Sequence, residues 1–170
     1  MRYDRSNRKI FDLKSSDEEF VFALEEICDW VGCLPDTVFK KVIPMFNGWH
    51  LGPRENHLVA MAFGASIAGN RPAVLMQNSG LGLFLDAIMG TFSLYKKGLL
   101  LVISNRGILE WEEIQHKEWG MITESLLSAA NIEIIEFDKE GIFGLKRAGE
   151  LAFNNQKVVA LLIQRGNLNE

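Results

Sequence analysis

Two cysteines in 170 residues, Cys28 and Cys33, are too few for a disulfide framework or a four-ligand zinc site. They read as buried, reduced thiols, and the chain as a cytoplasmic one. Basic residues do not predominate. Eighteen Lys and Arg stand against 22 Asp and Glu, a net charge of −4, so the basic face of a phosphate-backbone binder is missing and no nucleic-acid partner is expected. Apolar runs reach only strand length, far below the ~20 residues of a bilayer span, and the start MRYDRSNRKIFDLKSSDEE has no apolar signal-peptide segment. No membrane association is expected. Serine-triad chemistry lacks its elbow, because Ser79 stands in Asn-Ser-Gly-Leu-Gly rather than Gly-x-Ser-x-Gly. Glu112-Glu113-Ile114-Gln115-His116 has no second histidine at helical spacing, so no metal site is read there.

What is present is ordinary for a globular domain: 48% hydrophobic and 24% charged residues, enough for a substantial core. Residues 1–14 read as a polar arm and 15–170 as one domain. Ser15-Ser16-Asp17-Glu18-Glu19 offers a capping-box start, after which Phe20, Leu24, Ile27 and Val31 form the apolar seam of a helix. That helix yields to a first strand somewhere near 28–32, at a point the pattern does not fix. Short apolar runs at 73–76, 99–103, 132–137 and 158–163 then alternate with helical patterns near 55–69, 83–96, 117–130 and 139–155. The runs are continuous rather than alternating, as in strands covered on both faces. The expectation is an α/β three-layer sandwich, a central parallel sheet of about six strands with helices on both faces. Sites in such sheets lie at the carboxyl ends of strands, which directs attention to the segments after Pro35, Leu51, Met76 and Ser104.

Gly52-Pro53-Arg54-Glu55 opens a helix, with proline expected at its first position and Glu55 in its first turn. Such an acid ordinarily does no more than complement the helix dipole. The small residues that follow, Ala60, Ala62, Gly64, Ala65, Ala68 and Gly69, suit a buried helix or a subunit contact. Gln77-Asn78-Ser79-Gly80-Leu81-Gly82 leaves a buried strand, and its glycines permit a tight turn that brings backbone amides near a ligand. It is not a full dinucleotide fingerprint, since the third glycine position is Leu85. Arg106, in Ser104-Asn105-Arg106-Gly107, offers paired N–H donors to an acidic substrate or is simply a surface arginine. Trp111 and Trp119 bracket Gln115-His116 and suggest an interface.

Read in order, Leu34-Pro35-Asp36-Thr37, Arg54-Glu55 leading to Ala62-Phe63-Gly64-Ala65, Met76 to Gly82, Ser104 to Gly107 and Gln115-His116 resemble one family. It is the pyrimidine-binding (PYR) domain of the phosphonopyruvate and sulfopyruvate decarboxylases, enzymes that use thiamine diphosphate. The resemblance runs from about residue 16 to the end. It implies that Glu55 is catalytic and cofactor-binding, hydrogen-bonding N1′ of the aminopyrimidine so that the 4′-nitrogen can take the thiazolium C2 proton. It implies that Asn78, Ser79, Gly80, Leu81 and Gly82 line the cofactor, and that Arg106 and His116 receive the acidic end of the substrate. The family's asparagines after the glycine loop are replaced here by Leu83 and Asp86.

The family's Gly-Asp-Gly loop, which holds Mg2+ and the diphosphate, does not occur in this sequence. The resemblance therefore implies a hetero-oligomer, an alpha subunit paired with a beta subunit whose diphosphate-binding (PP) domain holds the Mg2+. The implied reaction is decarboxylation of 3-phosphonopyruvate or 3-sulfopyruvate, small anionic 2-oxo acids, to the aldehyde and CO2. A carboligase subunit and a non-catalytic module of the same fold are the alternatives.

Overall fold

The computed structural model describes residues 17–169, so the expected arm at 1–14 and the Ser15-Ser16 half of the capping box lie outside the described residues. Six strands form one all-parallel sheet: β1 (Trp30–Cys33), β2 (His50–Leu51), β3 (Pro72–Gln77), β4 (Leu99–Ser104), β5 (Glu133–Glu136) and β6 (Val158–Ile163), in the order β2-β1-β3-β4-β6-β5. Five α-helices accompany it: α1 (Asp17–Ile27), α2 (Glu55–Ile67), α3 (Leu81–Ile88), α4 (Ile114–Ala129) and α5 (Phe137–Asn154). The three-layer α/β sandwich expected from the alternating runs is the observed architecture.

The central strands show why their sequences are apolar throughout. Ala73, Leu75, Leu100, Val102, Val159, Leu161 and Ile163 enter one core with residues of α1, α5 and the 38–46 segment. Their neighbours Val74, Met76, Leu99, Leu101, Ile103, Ala160 and Leu162 enter the other, with α2, α3 and α4. Side chains alternate across a strand, so a strand covered on both faces must be apolar at every position. On the first face Phe20 of α1 meets Phe137 of α5 edge to face, centroids 5.8 Å apart. Among the described residues no helix is long and apolar enough to cross a membrane. Both cysteines are buried and unpaired; burial pushes the Cys33 thiol up to about 11 and Cys28 higher still, which keeps both uncharged.

Four element boundaries differ from expectation, each for a local reason. β2 is only two residues long and carries no apolar run, yet it adds to the sheet through His50 opposite Gly32 and Leu51 opposite Cys33. Proline does not open α2: Arg54 is its extended N-cap, which leaves Pro53 one place outside and makes Glu55 the first helical residue. That helix ends on Gly69, whose positive φ of 94° is the left-handed stop that glycine accepts without a Cβ clash. α4 starts at Ile114, placing Gln115 and His116 in its first turn rather than in a loop. β5 gives way to helix at Phe137, inside the stretch expected to be strand, and Gly141 kinks that helix with φ 55°.

Candidate functional site

Because all strands run in one direction, the segments after β1, β2, β3, β4 and β6 emerge along one edge of the sheet. Glu55 comes from the segment after β2 and Gly80 from the segment after β3. The two meet in close contact. A Cβ on Gly80 would lie 2.3 Å from Glu55 Cγ, 2.8 Å from Cδ and 2.9 Å from Oε1, so the glutamate side chain lies flat on the glycine. Gly80 has φ −73° and ψ −11°, a conformation open to any residue. Glycine is needed here for space, not for an unusual turn, which corrects the expectation that the two glycines serve a tight backbone bend. The Glu55 carboxylate is half-buried and makes no hydrogen bond or ion pair with another described residue. It is positioned, partly desolvated and uncommitted.

The other residues of the glycine segment divide by orientation. Asn78 is fully buried in a short 3-10 turn, and its Nδ2 donates to Arg106 O (2.9 Å), Thr123 Oγ1 (2.9 Å) and Asn105 Oδ1 (3.3 Å). It ties the end of β3 to the end of β4 and to α4, while its Oδ1 is buried without a partner. Leu81 turns its side chain into the core. Ser79 is partly exposed, and Gly82 is exposed beside the ring of Trp119.

Arg106 is buried among carboxylates. Its Nε donates to Glu112 Oε1 (2.6 Å), its Nη2 to Glu113 Oε2 (2.7 Å), and its Nη1 lies 3.6 Å from Asp36 Oδ2. Only 4% of its side chain is exposed, and a guanidinium so enclosed needs counter-charges. The paired donors expected for an acidic substrate are thus held by the protein's own acids in this state. Glu112 is the organiser, with Oε2 accepting from the backbone N–H of Gly107 (2.8 Å), Ile108 (3.1 Å) and Leu109 (3.2 Å). Gly107 has φ 86°, and a Cβ there would sit 2.0 Å from His116 O, so the loop packs backbone to backbone against α4. Removing one member of a buried pair leaves the other charge unmatched. Glu112→Ala is therefore expected to destabilise the fold by about 3 kcal/mol, which for a domain of this size lowers Tm by roughly 6–12 °C. A thermal melt within about 2 °C of the unmodified chain would show that the loop does not depend on this carboxylate.

Arg106 and His116, the two residues expected to meet the acidic end of a substrate, share one cleft of about 480 Å³ with Pro35, Asp36, Lys40, Gln77 and Glu113 among its walls. Gln77 Nε2 lies 2.8 Å from His116 Nδ1. An amide nitrogen can only donate, so Nδ1 accepts and the ring proton resides on Nε2, the nitrogen turned toward Glu113. The Glu113 carboxyl is held below the usual range first by its own backbone amide, which outweighs the opposing effect of desolvation, and then by the neighbouring Arg106 and Arg165 charges. The other two histidines lie apart, His50 stacked on Trp30 at 4.8 Å and His57 exposed. Among the described residues no three His, Cys, Asp or Glu side chains are grouped to hold a metal ion.

Sequence reasoning passed over Asp36, Gln77, Glu112, Glu113 and Arg165 as site residues. Only Gln77 carried a usable signal, as the first polar residue leaving an apolar strand. The rest are ordinary charged residues whose meaning comes from what they face.

No protein-family model matches the chain. Among characterised proteins it is 30% identical over 158 residues to the sulfopyruvate decarboxylase subunit alpha of Methanococcus maripaludis, covering 89% of this chain and 95% of that one. The protein of the same description from Methanocaldococcus jannaschii is 35% identical over 79 residues, 46% of this chain and 47% of its own. Among solved structures, a 2-oxoglutarate:ferredoxin oxidoreductase from Magnetococcus marinus matches with a TM-score of 0.65 and 14% identity, over 90% of this chain and 29% of that chain. At that identity the likeness is one of fold, and this chain spans less than a third of the oxidoreductase chain. The match to the Methanococcus subunit instead runs nearly end to end in both proteins. With the sheet and its site described above, it places this chain in the sulfopyruvate decarboxylase alpha-subunit family.

Proposed function

We propose that this chain is the alpha subunit of a heteromeric thiamine-diphosphate-dependent decarboxylase, acting in the cytoplasm on a 2-oxo acid with an anionic 3-substituent. The relatives' name favours 3-sulfopyruvate, with 3-phosphonopyruvate the close alternative. In this reading residues 15–170 form the pyrimidine-binding domain. A beta subunit supplies the diphosphate-binding domain and the Mg2+. The relatives are themselves called subunits, and α2, α3 and α4 expose Met61, Ile67, Leu83, Met121 and Ile122, apolar surface of the kind a partner covers.

The observation that carries the reading is the Glu55 carboxylate lying on Gly80, partly buried and bonded to no other described residue. Such a group fits a heteroaromatic nitrogen, because a carboxyl without a protein partner has its oxygens available to hydrogen-bond that atom. When bound, thiamine diphosphate supplies the electron sink that makes loss of CO2 feasible. Glu55 would hold the proton at the pyrimidine nitrogen, and the backbone from Ser79 to Gly82 would flank the ring. Asn78, turned inward, would keep that backbone and Arg106 in register. His116 would present Nε2–H to the substrate's acidic end beside Arg106. Each role is assigned to a residue whose placement suits it.

The test is reconstitution. The isolated chain is expected to be inactive and the alpha–beta complex active with thiamine diphosphate and Mg2+, consuming 3-sulfopyruvate or 3-phosphonopyruvate far faster than pyruvate and releasing the aldehyde. A coupled product instead of the aldehyde would make the complex a carboligase. Failure of the correctly assembled complex to consume any 2-oxo acid would remove the proposal.

A further inference from the structure

Three nitrogen donors from three separate elements converge on one side chain. Glu113 Oε2 lies 2.7 Å from Arg106 Nη2, at the end of β4, and 3.9 Å from His116 Nε2, on α4. Its Oε1 lies 3.6 Å from Arg165 Nη1, in the segment after β6. Glu113 is the N-cap of α4, yet its side chain makes no capping bond and reaches back to the mouth of the cleft. It also differs from the other acids on Arg106. Glu112 and Asp36 are 1% and 4% exposed, fixed among their bonds, whereas Glu113 is 50% exposed.

That asymmetry decides which acid can leave. Glu112 would abandon four bonds and a buried site. Glu113 would swing into water, where its charge is well hydrated, and its side chain is already half exposed. Arg165 would stay, since its guanidinium also lies over the Trp111 ring, 4.7 Å from the centroid. With Lys40 on the same cleft, the charges facing it are balanced while Glu113 is in place and net positive once it is out. A small oxyanion entering the cleft then meets the donors that Glu113 had engaged.

We propose that Glu113 is an internal stand-in for the anionic 3-substituent of the substrate, occupying its oxyanion position among Arg106, Arg165 and His116 until a sulfonate or phosphonate displaces it. Glu113 is then a specificity-determining residue. A neutral substituent gains nothing that offsets its eviction, whereas a strong anion replaces every contact it made. The inference rests on the reading of the chain as the subunit that receives such an acid, and it refines which residues grip it.

The experiment titrates the full-length chain with methanesulfonate and inorganic sulfate, following tryptophan fluorescence, with Trp111→Phe to assign the signal. Glu113→Gln is expected to bind both anions roughly fivefold tighter than the unmodified chain. Glu113→Asp is expected to do the same, because it keeps the charge but is too short to reach the arginines. Arg165→Gln is expected to weaken binding. In the alpha–beta complex, KM for 3-sulfopyruvate should fall by a similar factor in both Glu113 variants. Tightening in Gln but not in Asp would show a general charge effect and overturn the proposal. So would unchanged binding in both, or no binding by any variant. The anion titration needs no turnover: tighter binding without decarboxylation would remove the functional reading alone, and decarboxylation with unchanged anion binding would remove the stand-in alone.

Discussion

Glu55→Gln is expected to lower kcat of the alpha–beta complex by roughly 100-fold or more, with little change in melting temperature or in assembly. The substitution preserves shape, and the carboxylate has no hydrogen bond or ion pair to another described residue, so the fold loses nothing specific. It stands at the first position of α2, where replacing an acid by a neutral amide costs only the few tenths of a kcal/mol of a helix-dipole interaction. On the proposed reading, what disappears is the capacity to hold or release a proton at the cofactor's pyrimidine nitrogen, and positioned acid–base groups contribute about 10²–10⁴ in rate. The measurement is steady-state decarboxylation beside a melt and a sizing profile of the complex. A kcat within about threefold of the unmodified complex would falsify the assignment of Glu55 as the activating carboxyl.

Gly80→Ala is expected to be nearly as damaging, although the residue bears no functional group. Its backbone angles suit alanine, so no strain arises in the chain itself. The added methyl, however, would overlap Glu55 Cγ at 2.3 Å and Cδ at 2.8 Å. Since the glutamate is partly exposed, it can relieve the clash by swinging outward, and the fold survives with a loss of about 1–3 kcal/mol. The carboxylate does not survive in place. A displacement near 1 Å at a reacting group costs about 10²-fold in rate. Because both changes act through one carboxyl, the double variant Glu55→Gln, Gly80→Ala should be little worse than either alone. Multiplied losses in the double variant would mean that Gly80 serves the site by some route other than Glu55.

Much of the architecture was legible from the residues. The runs at 73–76, 99–103 and 158–163 became β3, β4 and β6, since a strand covered on both faces must be apolar at each position. The turn at Asn78 to Gly80 and the loop at Arg106 were marked by polar and glycine residues following apolar strands, and the first turn at Glu55 by the Gly52-Pro53 pair before it. Boundaries failed where packing overrode local pattern. His50-Leu51 has no strand signature and pairs because the adjacent edge of β1 is open to it. Gln115 and His116 looked like loop because the α4 pattern strengthens only later, yet the extended Glu113 starts the helix before them.

What sequence alone determined here is the list of chemically able side chains and the alternation that makes a parallel sheet, because periodicity reports which face of its own element a residue occupies. The tertiary structure decided the partners. Parallel strands in the order β2-β1-β3-β4-β6-β5 deliver Glu55 onto Gly80, and bring Asp36, Arg106 and Arg165 from three distant stretches to one edge. A guanidinium carried into that low-dielectric edge gathers whatever carboxylates the neighbouring loops offer. That choice is made in space, between residues whose separation along the chain says nothing about their meeting.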